Sequence, residues 1–339
     1  MAPGIASIVM LLATAAGAAL LTQAWVLLAR RRQIHDLPGP RRVHAVPTPR
    51  GGGIAIAVAF LLALCWLSLP PAPAPGLAAL ALGAGLFAAL GLFDDLWPLP
   101  TVLKLLLQLT AAAIFVAGIA SGWSIGWIGL VVLVVACCYV VNIWNFMDGS
   151  NGLITVQALV IALALAFWPE QPMHLRAASL ALAGACIGFL PFNLPTARVF
   201  LGDVGSHVIG AAVFGLLLLA WQEKTLDLLQ VLLVSSVILI DTGYTLARRL
   251  LGGKRFWLAH REHLFQYAVR VGHSHAKVCL VYGAATVAAI GLARLAGKAS
   301  SNLVGPALLA LVWVLGTVLY FGLRQHWLNP VMHRHRRHD

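Results

Sequence analysis

Charge is what this sequence has least of. Only 10% of its 339 residues are Asp, Glu, Lys or Arg, where a soluble domain carries about 25%. That shortage excludes a water-exposed surface over most of the chain. Acids are scarcer still, eleven against 23 Lys and Arg, and the formal net charge is +12. Five cysteines are present, Cys65, Cys137, Cys138, Cys186 and Cys279. All lie in apolar runs and none has a Cys-x-x-Cys partner, so they read as small core residues without disulfide, zinc or redox duty. Internal repeats and low-complexity segments are absent.

Hydrophobic residues fill the chain instead, at 60%. Apolar runs of roughly 18 residues or more recur from end to end, each long enough to cross a bilayer. The runs are continuous and not alternating, which fits membrane helices and not barrel strands. Length alone suggests two soluble domains; the density of runs points to one helical bundle in lipid. The expected fold is an all-α integral membrane protein of 10–11 transmembrane helices. Spans are predicted near 5–29, 53–70, 76–93, 102–120, 124–141, 152–168, 176–192, 206–221, 227–248, 278–296 and 303–323. They form one polytopic domain over 1–325, followed by a basic His/Arg tail at 326–339. The first run lacks a basic stretch before it, is too long for a signal-peptide core, and is followed by Arg30, Arg31 and Arg32. It therefore reads as a retained span. Prolines punctuate the breaks, at 70–75, at Pro98 and Pro100, and at Pro191 and Pro195.

Lys and Arg fix the expected orientation. One set of loops holds 19 of the 23 basic residues, and the other only Arg176, Lys224, Arg294 and Lys298. The rich side is predicted to be cytoplasmic, with the N-terminus outside and the C-terminus inside. The positive charge is then an orientation and lipid-surface signal and does not argue for nucleic acid.

The scarce acids are unevenly placed. Glu170, Glu223 and Asp227 fall on the outer side, and Asp339 ends the chain. Asp36, Asp94, Asp95, Asp148, Asp203, Asp241 and Glu262 fall in cytoplasmic loops or near the cytoplasmic ends of spans. Ionisable groups at membrane depth are costly and usually functional. A lone loop acid is normally a solvated one, but several span ends here deliver an acid to one face. Asp94-Asp95 at a span end suits a hard divalent cation, or an acid and a base with separated pKa values; the plain alternative is helix termination. Asn145-Phe146-Met147-Asp148-Gly149 offers oxygen ligands and amide donors beside a close-approach glycine; the alternative is a capped turn. Gly202-Asp203-Val204-Gly205 opens a span, where a carboxylate suits Mg²⁺ plus phosphate, unless Asp203 is a simple N-cap. Arg50 followed by Gly51-Gly52-Gly53 entering a helix is a weak phosphate-cradle signal. The His260-Arg261-Glu262-His263 loop lacks convincing zinc spacing, and Asp241 inside its span reads equally well as a structural acid.

Taken in order, Pro47-Thr48-Pro49-Arg50-Gly51-Gly52-Gly53, Phe93-Asp94-Asp95 with Lys104 and Gln108, Asn145-Phe146-Met147-Asp148-Gly149, Phe200-Leu201-Gly202-Asp203-Val204-Gly205-Ser206, Asp241-Thr242 and the His263 loop resemble the polyprenyl-phosphate N-acetylhexosamine-1-phosphate transferases. This superfamily, glycosyltransferase family 4, includes the phospho-N-acetylmuramoyl-pentapeptide transferases. The resemblance covers about residues 35–290. It implies transfer of a hexosamine 1-phosphate from a UDP-amino sugar to undecaprenyl phosphate, with release of UMP. It implies Mg²⁺, with Mn²⁺ as an alternative, a bacterial inner-membrane location, contacts with membrane lipids and a homodimer as one option. Carried over by position, Asp203 and Asp148 would hold the metal, and Asp94, Asp95 and Asp148 would be catalytic. Arg50, Lys104, Asn145, Asn151, His263 and Gln266 would bind substrate. Two departures stand out. Asn151 occupies a position where many relatives carry a second Asp, so a nucleophile there is excluded. His263-Leu264-Phe265-Gln266 replaces a His-x-His-His motif. Both point to the O-antigen-initiating branch more than to the pentapeptide transferases. A transporter with intramembrane acids is the competing class, and it predicts midplane acids and inverted repeats.

Overall fold

The computed structural model describes residues 3–36, 47–69, 75–255, 260–299 and 301–335. Arg41, Arg42 and His44, the proline run at 70–74, and residues 336–339 of the basic tail lie outside the described residues. The helices are α1 (Pro3–Arg31), α2 (Ile54–Leu67), α3 (Pro75–Leu96), α4 (Thr101–Ala120), α5 (Trp127–Met147), α6 (Leu153–Ala166), α7 (Met173–Asn193), α8 (Gly202–Gln222), α9 (Leu228–Leu251), α10 (Leu264–Arg270), α11 (His275–Lys298) and α12 (Val304–His335). A two-residue antiparallel ladder, β1 (His35–Asp36) with β2 (Thr48–Pro49), joins the ends of the first loop.

Among the described residues, nine helices are long and apolar enough to cross a membrane. α2 and α6 are as apolar but have only 14 residues each. At 1.5 Å per residue they reach about 21 Å, short of a hydrocarbon core of about 30 Å. The eleven expected spans thus become nine full-length helices and two short ones. α6 starts late because Gly152 takes a left-handed backbone, φ 75°, which opens the turn before it. α12 runs past its expected end at 323, since nothing between Leu323 and Leu328 interrupts a helix. The short α10 inside the late basic loop was not foreseen.

Leu20, Trp66, Trp127 and Leu280 each expose at least 71% of their surface. In water such a surface would drive aggregation; on an integral membrane protein it faces lipid tails.

The chain forms two compact units, Met1–Thr225 and Leu226–Asp339. In the first, α8 is central. It is buried from Val204 to Ala220, with Ser206 and His207 as the polar side chains of that stretch, as expected of a core helix, and it packs against α3, α5, α2 and α6. α1 lies along α7 at Gly184 and Gly188, where an added Cβ would sit 2.4 Å from the Leu11 carbonyl and 2.2 Å from the Ala15 carbonyl. Small residues four apart let membrane helices approach this closely. In the second unit α9 packs against α11 and α12. α9 opens with a capping box, Asp227 Oδ1 accepting from Gln230 N at 2.8 Å and Gln230 Oε1 from Asp227 N at 2.8 Å.

Candidate active site

Four helices of the first unit bring polar ends together. α3 ends with Asp94 and Asp95, α4 begins with Lys104 in its first turn, α5 ends with Asn145 before Asp148, and α8 begins with Asp203. Each is mostly apolar elsewhere, and burying the apolar lengths brings these ends together. Lys104 Nζ lies 2.7 Å from Asp94 Oδ2 and 2.7 Å from Asp203 Oδ2. Asn145 Nδ2 donates to Asp203 Oδ1 at 3.0 Å and to Ser206 Oγ at 3.0 Å. Asp203 therefore has one oxygen on an ammonium and the other on an amide. Asp94 Oδ1 accepts from Leu99 N at 2.7 Å, which fixes the turn between α3 and α4.

Asp95 does something the sequence did not announce. Its Oδ2 accepts from Val204 N at 3.0 Å, so it caps the first turn of α8 from another helix. The residue before α8 supplies no side-chain cap, and an orphan N–H there needs a partner. The carboxylate also sits favourably at the positive end of the helix dipole. Gly202 is required by this contact: its φ is 77°, and a Cβ would lie 2.7 Å from Asp95 Oδ2 and 2.9 Å from Gly51 Cα.

The Arg50 and triple-glycine segment packs against the ends of α3 and of the chain entering α8. Arg50 Nη2 donates to the Asp95 main-chain oxygen. Gly52 N donates to Phe200 O at 2.9 Å and Gly53 N to Leu201 O at 2.8 Å. Those two amides are thus committed to the chain leading into α8 and do not form a free phosphate cradle. The glycines serve close packing instead: a Cβ on Gly53 would fall 2.2 Å from Gly205 Cα.

Asp148 follows α5, its N–H donating to Asn145 O at 3.2 Å. Burial pushes its carboxyl well above the usual carboxylate range, and the nearby negative charges of Asp203 and Asp95 push it the same way. Asp94, Asp95, Asp148 and Asp203 are therefore one electrostatic group. Among the described residues no three His, Cys, Asp or Glu side chains form a ready-made metal cage. The donor chemistry nevertheless fits a hard divalent cation. Crowded carboxylates with excess negative charge attract one, and Mg²⁺ is commonly held by one or two carboxylates plus substrate phosphates. Asn151 half-faces solvent and donates to Pro195 O at 3.4 Å.

His263 and Gln266 belong to the second unit, where His263 N donates to Gln266 Oε1 at 3.2 Å. There Asp241, 3% exposed, accepts from Leu264 N at 2.8 Å and from Tyr282 OH at 2.6 Å. It caps α10 across the fold, as Asp95 caps α8. Glu262 binds Arg248 at 2.5 Å, Lys254 at 3.2 Å, and Arg249. Burial alone would raise its carboxyl, but hydrogen bonds from Arg248 and Lys254 outweigh that and hold it at about 2. Burial, helped by His263 and Arg249, lowers the His260 imidazole to about 4, so it is neutral at pH 7.

Sequence reasoning missed His207 and gave Ser206, Asn142 and Gln108, which lie in or beside the motif stretches, no role of their own. The available signal was helical spacing: His207 is four residues beyond Asp203, and Gln108 four beyond Lys104.

Known proteins resemble this chain over most of its length. The family model "Glycosyl transferase family 4" matches residues 77–221, which span α3 to α8. The decaprenyl-phosphate N-acetylglucosaminephosphotransferase of Mycolicibacterium smegmatis is 32% identical over 320 residues, covering 79% of this chain and 77% of that protein. A probable undecaprenyl-phosphate N-acetylglucosaminyl 1-phosphate transferase of Bacillus subtilis is 25% identical, over 73% of this chain and 72% of that one. The phospho-N-acetylmuramoyl-pentapeptide-transferase of Moorella thermoacetica is 30% identical, over 74% and 84%. The matched segment holds every member of the acid cluster, and the likeness extends well beyond it; this membrane-embedded chain belongs to glycosyl transferase family 4.

Proposed function

We propose that this protein transfers N-acetylhexosamine 1-phosphate from a UDP-amino sugar to undecaprenyl phosphate, as the first step of an O-antigen-type, lipid-linked surface polysaccharide. The observation that carries this is Lys104 held between Asp94 and Asp203 at 2.7 Å each. A site that joins two phosphates must offset their mutual repulsion, and it needs fixed cationic and polar groups to do so. Over the whole transfer, a phosphate oxygen of the lipid becomes bonded to the sugar-bearing phosphorus of the donor. The bond from that phosphorus to the UMP oxygen breaks, and UMP leaves.

Lys104 offers its ammonium to phosphate oxygens, with Asp94 and Asp203 holding it in place. Asn145 orients Asp203 through one carboxylate oxygen. Asp95 sets the first turn of α8 and, with Asp94, would help bind or deprotonate the lipid phosphate. Asp203 and Asp148 are the residues that would hold Mg²⁺, which when bound would neutralise charge developing on the phosphates. The bias of Lys and Arg across the loops supports a cytoplasmic site at the bacterial inner membrane. The four carboxylates sit at helix ends, which is not the midplane placement a transporter site requires.

The test incubates purified protein with undecaprenyl phosphate, Mg²⁺ and a panel of UDP-amino sugars, including 6-deoxy donors. UMP release identifies the donor, and Asp203→Ala should lose nearly all of it. If no donor releases UMP, and Asp203→Ala matches the unmutated protein, the proposal fails.

A further inference from the structure

Beneath the acid cluster lies a second polar layer, one helical turn deeper. α4 carries Lys104 and then Gln108, α8 carries Asp203 and then His207, and α5 carries Asn145 and, three residues earlier, Asn142. Residues three or four apart share a helix face, so each helix gives one side chain to each layer. In the deeper layer Asn142 Nδ2 donates to Cys138 O at 2.8 Å and to Gln108 Oε1 at 2.8 Å. Gln108 Nε2 lies 2.9 Å from His207 Nε2. His207 Nδ1 lies 2.6 Å from the main-chain oxygen of Asp203. Gln108 and His207 expose 1% and 0% of their surfaces.

The direction of every bond follows from its ends. The Asp203 main-chain oxygen can only accept, so His207 Nδ1 carries a proton. The Asn142 amide nitrogen can only donate, so Gln108 presents its oxygen to Asn142 and its NH₂ to His207. His207 Nε2 then accepts. The chain from Cys138 O through Asn142, Gln108 and His207 to Asp203 O is consistent in one sense only, with a neutral Nδ1–H imidazole. The carbonyl it grips belongs to the residue shared by Lys104 and Asn145. Gly91 of α3 closes the same carbonyl from another side, where a Cβ would lie 2.4 Å away.

We propose that His207 is a positioning residue: with Gln108 and Asn142 behind it, it sets the rotation of the first turn of α8 and so the place of the Asp203 carboxylate. This rests on the proposal that Asp203 serves phosphate transfer. Plain helix–helix adhesion would use the same bonds, but it would not make turnover depend on which His207 nitrogen is replaced. Asn reproduces the donor at the Nδ1 position and drops the contact to Gln108. Leu removes both.

The experiment measures kcat and KM for donor and lipid, with unfolding in mixed micelles in parallel, for His207→Leu, His207→Asn and Gln108→Leu. Selective ¹⁵N-histidine NMR at pH 7 assigns His207 by its disappearance in His207→Asn. Expected are an Nδ1–H tautomer for His207, a kcat about tenfold or more lower in His207→Leu with either KM changed less than about twofold, and recovery to within about threefold in His207→Asn. Gln108→Leu should slow turnover, and adding it to His207→Leu should change kcat by less than about twofold, because both act through one chain. An Nε2–H tautomer or an imidazolium at pH 7 overturns the proposal whether or not turnover is found. So does unmutated kcat in His207→Leu, or His207→Asn as slow as His207→Leu. Should His207→Leu fail to fold, His207→Asn against Gln108→Leu carries the same comparison. Loss of UMP release in the unmutated protein strikes the functional proposal instead, and the tautomer still decides this one.

Discussion

Removing the charge from Lys104 is the sharpest single perturbation available. Lys104→Met keeps the length and apolar stem of the side chain and deletes only the ammonium. Two charged hydrogen bonds disappear, each 2.7 Å in the intact protein. Hydrogen bonds to charged groups contribute about 1.5–3 kcal/mol each, so the pair contributes about 3–6 kcal/mol before screening. The side chains of Lys104, Asp94 and Asp203 are 23%, 14% and 30% exposed. Screening by that much solvent takes away about a third, leaving about 2–4 kcal/mol. Two carboxylates are also left facing one another without a cation, which adds to the loss and not to any gain.

The assay is reversible unfolding in mixed micelles, run as a double-mutant cycle with Asp94→Asn. A coupling energy of about 1–2 kcal/mol between the two positions is expected, because they touch and share a partner. Turnover should fall in parallel, by about 30-fold or more in kcat/KM if only 2 kcal/mol of the interaction survives into the transition state. Lys104→Arg should keep part of the stability, since its charge remains, and less of the turnover, since its planar fork does not replace a point charge. A Lys104→Met protein with unmutated unfolding free energy, or a coupling energy within error of zero, would refute the assignment of Lys104 as the cation that holds the cluster together.

Other perturbations follow from the same geometry. Asp95→Ala should destabilise the fold by about 1–2 kcal/mol, as loss of a helix N-cap does, while Asp95→Asn keeps an acceptor for Val204 N and should recover most of it; equal losses in both would remove the capping role. Gly53→Ala would normally favour a helix, yet here it should destabilise by about 1–3 kcal/mol, because its Cβ meets Gly205 backbone at 2.2 Å; unfolding against Gly126→Ala, which has open space, checks it. Glu262 sits at about 2 against an ordinary 4.5, so its contribution is whole above about pH 4.5 and fades as pH falls toward 2. Protection from hydrogen exchange at residues 260–263, relative to the intrinsic rate at each pH, should fall over that window and be lower in Glu262→Gln above it; a flat protection profile counts against the Arg248–Glu262–Lys254 anchor.

Much of the fold was legible because lipid imposes a simple rule. Backbone groups must be satisfied within each span, so long apolar runs are helices, and α3, α4, α8, α9 and α11 fall where the runs fall, while α5 runs on to Met147, past its expected end at 141. α2 and α6 were placed but overextended, because apolar composition continues past the points where Ser68 and Phe167 end the helix. The gathering of Asp94, Asp95, Asp148 and Asp203 was legible because several span ends delivered an acid to one face. The partners of those acids were not legible. Asp95 meets Val204 across 109 residues, and Asp241 meets Leu264 across 23; no local pattern records either. The packing role of the triple glycine was not legible for the same reason. Glycine signals close approach, but only the fold reveals that the approaching group is the backbone of Gly205 and not a phosphate.

The scarcity of acids gives those distant contacts a consequence for experiment. A membrane protein has few polar side chains with which to satisfy buried helix ends, so an acid brought inside tends to acquire a structural partner wherever it lands. Asp95 on the first turn of α8 and Asp241 on the first turn of α10 are two such cases. Alanine at either position removes a carboxylate and leaves a helix N–H without a partner, so lost turnover after Asp→Ala does not by itself identify a catalytic acid. Asparagine separates the two jobs. It keeps the acceptor, holds the helix end, and withdraws only the charge and the proton-accepting power. Asp94 and Asp203, whose oxygens meet an ammonium, should lose their partner's grip in either substitution. Asp95 and Asp241 should tolerate asparagine far better than alanine in stability. Any turnover that Asp95→Asn still lacks, at recovered stability, is the share that belongs to chemistry.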